Sequence, residues 1–294
     1  MSTATVSAAA DALEPTSSRA LQLIGSVVAP TTLLTSLMFY FGRGHAYWFF
    51  AHFGVNFTVM GLTPTDYLIR GADGLFMPLT VALGLGLLSL WAYRSARARL
   101  SSRAWRTITR IAAPVATAAG GLLAATAAVA ALRPVAFYAF PGVPGMCLAL
   151  GVVLLSVTAH RRGRASAGEP ATVAVAEWGA AFLLVSIGLF WAVTDYSASV
   201  GVGRAVQVEA GLATQPAVTL YSKENLGITT PGVHRTVCAT TGFRYDGLRL
   251  VLEAGGQYFL LPATWRPDAG TALVVPRTGD LHLEFTTAAT PPVC

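Results

Sequence analysis

Charge is what this chain of 294 residues has least of. Asp, Glu, Lys and Arg make up 12% of it, against about 25% in a soluble domain. That deficit argues against a large soluble core. Lysine is nearly missing: of the 20 basic residues, 19 are arginine and one is Lys223. Cysteine is scarce too, with Cys147, Cys238 and Cys294 alone, which excludes a disulfide-dense scaffold. The local signatures of common chemistries are missing as well. There is no GxxxxGK[ST] phosphate loop, no HExxH, no CxxC and no GxSxG. The glycines of GVGRAV, residues 201–206, lack a third glycine and a following helix pattern. No cofactor and no metal site is expected from these residues.

What is there is apolar. Hydrophobic residues reach 54% and the mean hydropathy is +0.57. A bilayer core is about 30 Å thick, so a spanning helix needs about 20 apolar residues. Five segments meet that length: 21–41, 75–93, 111–132, 135–159 and 173–194. Backbone groups must be paired inside lipid, so helices are expected for all five. The fourth carries Pro141 and Pro144 in FPGVPG and is expected to bend or to start late. In the third, Ala112, Ala116, Gly120, Ala124 and Ala128 recur every fourth residue. Such a stripe allows close helix contact in lipid, although an alanine-rich composition alone also yields it.

Arginine orients these segments. The connector 94–110 holds Arg94, Arg97, Arg99, Arg103, Arg106 and Arg110 without one acidic residue, and the next holds Arg161, Arg162 and Arg164. Short cytoplasmic loops are enriched in Lys and Arg. These two therefore read as inner loops, also suited to the anionic headgroups of the inner leaflet. Lying between spans, they argue for lipid and against nucleic acid as the partner. With five spans the amino terminus is cytoplasmic and everything after Tyr196 is extracytoplasmic, in a multi-pass plasma-membrane protein. Residues 1–20 are small and polar, expected to be disordered, and lack a cleaved-signal pattern, so the first span reads as retained.

The stretch HAYWFFAHFGVNFTVMGL, residues 45–62, leaves two alternatives open. It is a sixth span after a sharp turn at Gly42–Gly44, or an aromatic helix lying at the interface. His45, His52 and Asn56 fall on one helical face, with Phe50, Phe53 and Phe57 on another, as an interfacial helix requires. The following DYLIRGAD contributes Asp66, Arg70 and Asp73; Asp66 and Arg70 are four apart and can pair on a helix. These six polar residues are the candidate ligand-binding set. Two histidines seven apart stand about 10 Å from each other along a helix, too far for one ion.

Beyond residues 197–215, read as a linker or an initial strand, composition changes. Residues 216–294 carry strand signals at VTLYS, LGITT, HRTVC, LRLVLEAGGQYFLLP and LHLEF, with turns at YDG, Gly255–Gly256 and TGD. A small antiparallel sandwich or barrel is expected. If it lies outside, Cys238 and Cys294 can form a bridge. Within the spans, Glu177 lies near the inner end and Asp195 at the outer boundary, so neither marks a deep ion path.

The fold class expected is thus a polytopic α-helical membrane bundle followed by a small extracytoplasmic all-β domain. The leading function is presentation of that β module for binding, sensing or envelope assembly, with an envelope protein or polymer as partner and self-association allowed. Tyr221, Tyr245, Tyr258 and Trp265 could supply its contacts. Two alternatives remain. One is a channel or permease subunit with an outer cap. The other is an interfacial enzyme using residues 45–73. Ser222, His234, Asp246, Asp280 and His282 are hydrolase residue types without a local signature.

Overall fold

A computed structural model describes residues 14–137, 139–163, 171–239 and 242–286. Five helices come first: α1 Glu14–His52, α2 Pro64–Arg99, α3 Ser102–Leu132, α4 Val143–Gly163 and α5 Ala171–Gly211. Six strands follow: β1 Ala217–Ser222, β2 His234–Cys238, β3 Gly242–Ala254, β4 Gln257–Pro262, β5 Leu273–Pro276 and β6 Leu281–Thr286. Among the described residues, α2, α3, α4 and α5 are each long and apolar enough to cross a membrane.

The helices pack as a series, α2 on α1, α1 on α5, α5 on α4 and α4 on α3. Glycine makes these contacts close. A side chain at Gly42 would strike the Tyr67 carbonyl of α2, and one at Gly71 would strike the Met38 carbonyl of α1. Gly44 faces Ser197 of α5, and Gly201 faces the His45 carbonyl. The expected turn at Gly42–Gly44 is therefore absent. The two glycines serve helix packing, and α1 runs straight through them to His52. The small-residue stripe of α3 meets α4 only at its middle, where Gly120 faces Gly151, Leu154 and Leu155. Ala112 and Ala128 are exposed. A strict four-residue spacing drifts about 40° per step around a 3.6-residue helix, so its ends leave the contact face.

Two boundaries differ from expectation. Residues 45–62 are not one helix: 45–52 complete α1, and a short 3-10 turn, Phe57–Met60, follows with Asn56 as its cap. Residues 197–215 are largely helix, continuing α5 to Gly211. Gly and Val give that stretch weak helix propensity, but Ala205 is fully buried in the packing against α1, and tertiary contact overrides propensity. The fourth apolar segment starts late, as FPGVPG requires: α4 begins at Val143. At the other end, α2 and α3 are separated by Leu100 and Ser101, with the ring of Tyr93 5.4 Å from that of Trp105 and the Arg97 guanidinium 5.7 Å from the Trp105 ring centre.

The sheet is antiparallel, in the order β5-β4-β3-β1-β6, with β2 also on β3. Its centre is the long β3, whose first half pairs with β1 and β2 and whose second half pairs with β4. Two expectations fail here. YDG is no turn: Tyr245, Asp246 and Gly247 lie inside β3, and Gly247 takes a φ of 87° where the strand changes partner. LGITT forms no strand. Its loop is pinned by the buried Tyr245 hydroxyl, which accepts from the Leu226 amide at 2.8 Å and donates to Asn225 Oδ1 at 3.0 Å. The edge strands β5 and β6 are joined by only four residues. Pro276 sits opposite Gln257, at the Ala254 end of β3, while Leu281 sits opposite Ser222, at the Phe243 end. Five Cα steps reach at most about 18 Å, so the sheet must coil strongly to bring these edges together. Val218, Leu220, Tyr245, Leu248, Leu260 and Val275 fill its interior.

Candidate functional site at the helix–sheet junction

Helix length positions the β module. At about 1.5 Å per residue, α5 is about 60 Å long, twice the thickness of a bilayer core. Its apolar run 173–194 uses about half of that, and 195–211 project beyond it alongside the end of α1. The module rests on this projecting pair.

The contact is aromatic. Phe50 and Phe53 of α1 meet Phe259 of β4 at ring distances of 5.2 and 5.6 Å, and Phe53 meets Trp265 at 4.9 Å. Ala46, Phe49, Phe57, Met60, Ala205, Leu212 and Leu261 complete one buried cluster drawn from both helices and the sheet. The β3–β4 hairpin tip closes it from above. Gly255, at φ 56°, lies against the Met60 and Gly61 carbonyls, where a side chain would collide. Arg249 of β3 donates to the Leu212 carbonyl at 3.3 Å.

Polar groups border this cluster. His52 Nε2 lies 2.8 Å from Glu209 Oε2 of α5, and its ring is 6.0 Å from that of Trp265. One turn pair deeper, His45 stacks between Phe41 and Phe49 at 6.2 Å from each. Its Nδ1 is buried with no hydrogen-bond partner among the described residues. Burial first, then the positive charges of Arg70 and Arg204, push its pKa down to about 4. His45 is therefore a neutral ring at pH 7.

The six candidate residues thus divide. His45 lies within electrostatic reach of Arg70, and Arg70 of Asp66. His52 instead pairs with Glu209. Asp66 and Asn56 have local tasks. Asp66 Oδ2 accepts from the Thr63 amide at 2.8 Å in a capping box that starts α2, and Asn56 Oδ1 accepts from the Thr58 amide at 3.1 Å. Asp73 is exposed. Among the described residues no ion pair joins Asp66 to Arg70, and no cluster of three metal-ligating side chains forms. Glu209 and Arg204 were hidden from sequence reading because their segment looked like a linker. On a helix, their relation to α1 would have been the signal.

Elsewhere in the module, Arg244 Nε and Asp246 Oδ2 pair at 2.8 Å, largely buried, with Thr219 donating to Asp246 Oδ1 at 3.1 Å. This network ties β1 to β3. Of the four aromatic residues read as contacts, Tyr245 and Trp265 are core, and Tyr221 and Tyr258 are half-buried. Ser222 is buried, whereas His234, Asp280 and His282 are scattered over the surface. Cys238 is buried at the end of β2. Cys294 lies outside the described residues, and Cys147 in α4 is a free cysteine. Compared with known proteins, the chain matches no family model, no curated protein and no solved structure.

Proposed function

We propose that this chain is a plasma-membrane protein of five spans that holds its β module outside the cell membrane, where the module binds or senses an envelope component. The single observation that supports this reading is the junction itself. The module is not hung on a tether but packed through Phe50, Phe53, Phe259 and Trp265 onto helical extensions. A ligand on such a sheet can act on α1 and α5, because any tilt of the module must move both helices. The first span, 21–41 in α1, completes the five and sets the amino terminus inside. The arginines of 94–110 and of 161–164 stay with it, against anionic headgroups. The exposed strand β2 and the edge strand β6, which shows Phe285 to solvent, are natural surfaces for the partner, since unpaired edges accept a further strand.

Topology is tested with reporters at the two termini. An alkaline phosphatase fused after Cys294 should be active, and a fluorescent protein fused before Met1 should fluoresce. The reverse pattern would overturn the arrangement. Binding is tested with a photo-crosslinking residue at Val237 or His282 of the full chain in intact cells. The expected result is a discrete adduct with an envelope component. No adduct at either position would reject the binding role and leave the permease-subunit reading.

A further inference from the structure

Outside the junction, one cavity stands where α1, α4 and α5 meet, at the outer ends of the helices in the topology proposed above, on which this inference rests. It has a volume of about 480 Å³ and is lined by Trp48, Phe137, Trp191, Thr194, Asp195 and Ser199, among others. Ligand pockets fall in that size range. It is built by α1, the connection after α3, the start of α4 and the middle of α5, so the proline-rich start of α4 creates it.

Among the described lining residues, the one charge is the carboxylate of Asp195. Oδ2 accepts from the Gly142 amide at 3.2 Å, and among the described residues no arginine, lysine or histidine pairs with it. The two lining hydroxyls point their hydrogens away. Thr194 donates to the Phe190 carbonyl at 2.7 Å, and Ser199 to the Asp195 carbonyl at 3.2 Å. Each therefore offers acceptor lone pairs to the cavity. A carboxylate and hydroxyl acceptors among two indoles and a phenyl ring suit an organic ammonium group. They do not suit a phosphate or a carboxylate.

Position selects the source of that ammonium. Asp195 follows the apolar run 173–194, at the depth where headgroups begin. The chain that supplies the lining residues Ala130, Phe137 and Pro141 also exposes large apolar side chains beside them. Leu132 is 83% exposed, Val135 80% and Phe140 61%, a wall for acyl chains to lie on. We propose that this cavity binds the ammonium headgroup of an outer-leaflet phospholipid, with Asp195 as its counter-ion and Trp48 and Trp191 as its walls.

The full-length chain in nonionic maltoside micelles, titrated with short-chain phosphatidylethanolamine, phosphatidylcholine and phosphatidylglycerol, tests this by native mass spectrometry. The ethanolamine and choline lipids should bind saturably and compete with each other, and the glycerol lipid should fail to displace them. Asp195→Asn keeps an oxygen for the Gly142 amide and removes only the charge, so it should weaken ammonium-lipid binding tenfold or more without lowering the thermal midpoint. Trp191→Leu should weaken it as well. Equal binding of the glycerol lipid, or an unchanged Asp195→Asn variant, would mean a generic lipid annulus and overturn the proposal. Free choline binding as tightly as the lipid would overturn the lipid source. All of these readouts are independent of which partner the β module takes.

Discussion

His45 changes its chemistry on folding. Its ring lies between two phenylalanines, and its Nδ1 has no partner among the described residues. With a folded pKa of about 4 against 6.5 unfolded, the unfolded chain binds more protons everywhere between those values. The contribution of this histidine is therefore complete above pH 6.5 and is lost progressively as pH falls towards 4. Thermal unfolding in micelles at pH 7 and pH 4.5 should show a fall that shrinks in His45→Phe, which keeps the stack and cannot take the proton. An identical fall in both proteins would mean that carboxylates alone carry the acid sensitivity. His52 has a carboxylate partner, Glu209 Oε2 at 2.8 Å. Removing either side of the His52–Glu209 contact should cost about 1 kcal/mol at this half-buried site, with the double variant costing little more than either single one. Additive losses in that cycle would show that the two side chains do not act on each other.

At the scale of elements, close helix contacts distinguish glycines that composition cannot. Gly71 lies against the α1 backbone at Met38, while Gly84, thirteen residues on along the same helix, has nothing nearby. Gly71→Val should sharply reduce folded yield, and Gly84→Val should leave it unchanged, as measured by monodisperse recovery in detergent. Equal recovery would put the α1–α2 packing in error. The same distinction explains what could be read beforehand. Apolar length announced α2, α3 and α5, and the late start of α4 followed from two prolines. Alternation announced β6 and the β3–β4 hairpin, since period-two patterning is local. Gly42–Gly44 misled because a glycine pair marks a turn or a close contact alike, and only the neighbour decides. Residues 197–211 misled for a related reason: their helix packs on α1, whose His52 lies 157 residues from its partner Glu209 in sequence. The candidate site was legible in its histidines and aromatics but not in Glu209 or Trp265, because sequence shows residue types and not which of them converge. The junction these residues form should be cooperative. Phe53→Ala removes a ring that touches His52, Phe259 and Trp265, a loss of about 3–5 kcal/mol for a buried aromatic. Hydrogen exchange should then rise in β4 and in residues 205–212 while α3 and α4 stay protected. Protection unchanged at β4 would mean that the module is held by something other than this cluster.

For the whole molecule, the side of the membrane and the oxidation state of the cysteines are one question. A module outside the cell sits where disulfides persist, and a module in the cytosol sits where thiols are kept reduced. Cys147 in α4 is free, which leaves Cys238 and Cys294 as the one pairing the composition allows outside. A bridge between them would close a loop of roughly 57 residues and stabilise the module by roughly 4 kcal/mol in the chain-entropy model. It would also fasten the carboxyl terminus to the end of β2. Protein isolated from cells with its thiols blocked at lysis should accordingly carry one alkylated cysteine, Cys147, and two more only after reduction. The variants Cys238→Ser and Cys294→Ser should lower the unfolding midpoint by similar amounts, and the double variant by no more than either, because one bond can be lost only once. Three alkylated cysteines without reductant would reject the bridge, and together with an inactive phosphatase fusion would move the β module to the cytosolic side. An active fusion with three free thiols would instead leave the module outside and show that packing on α1 and α5 suffices to hold it.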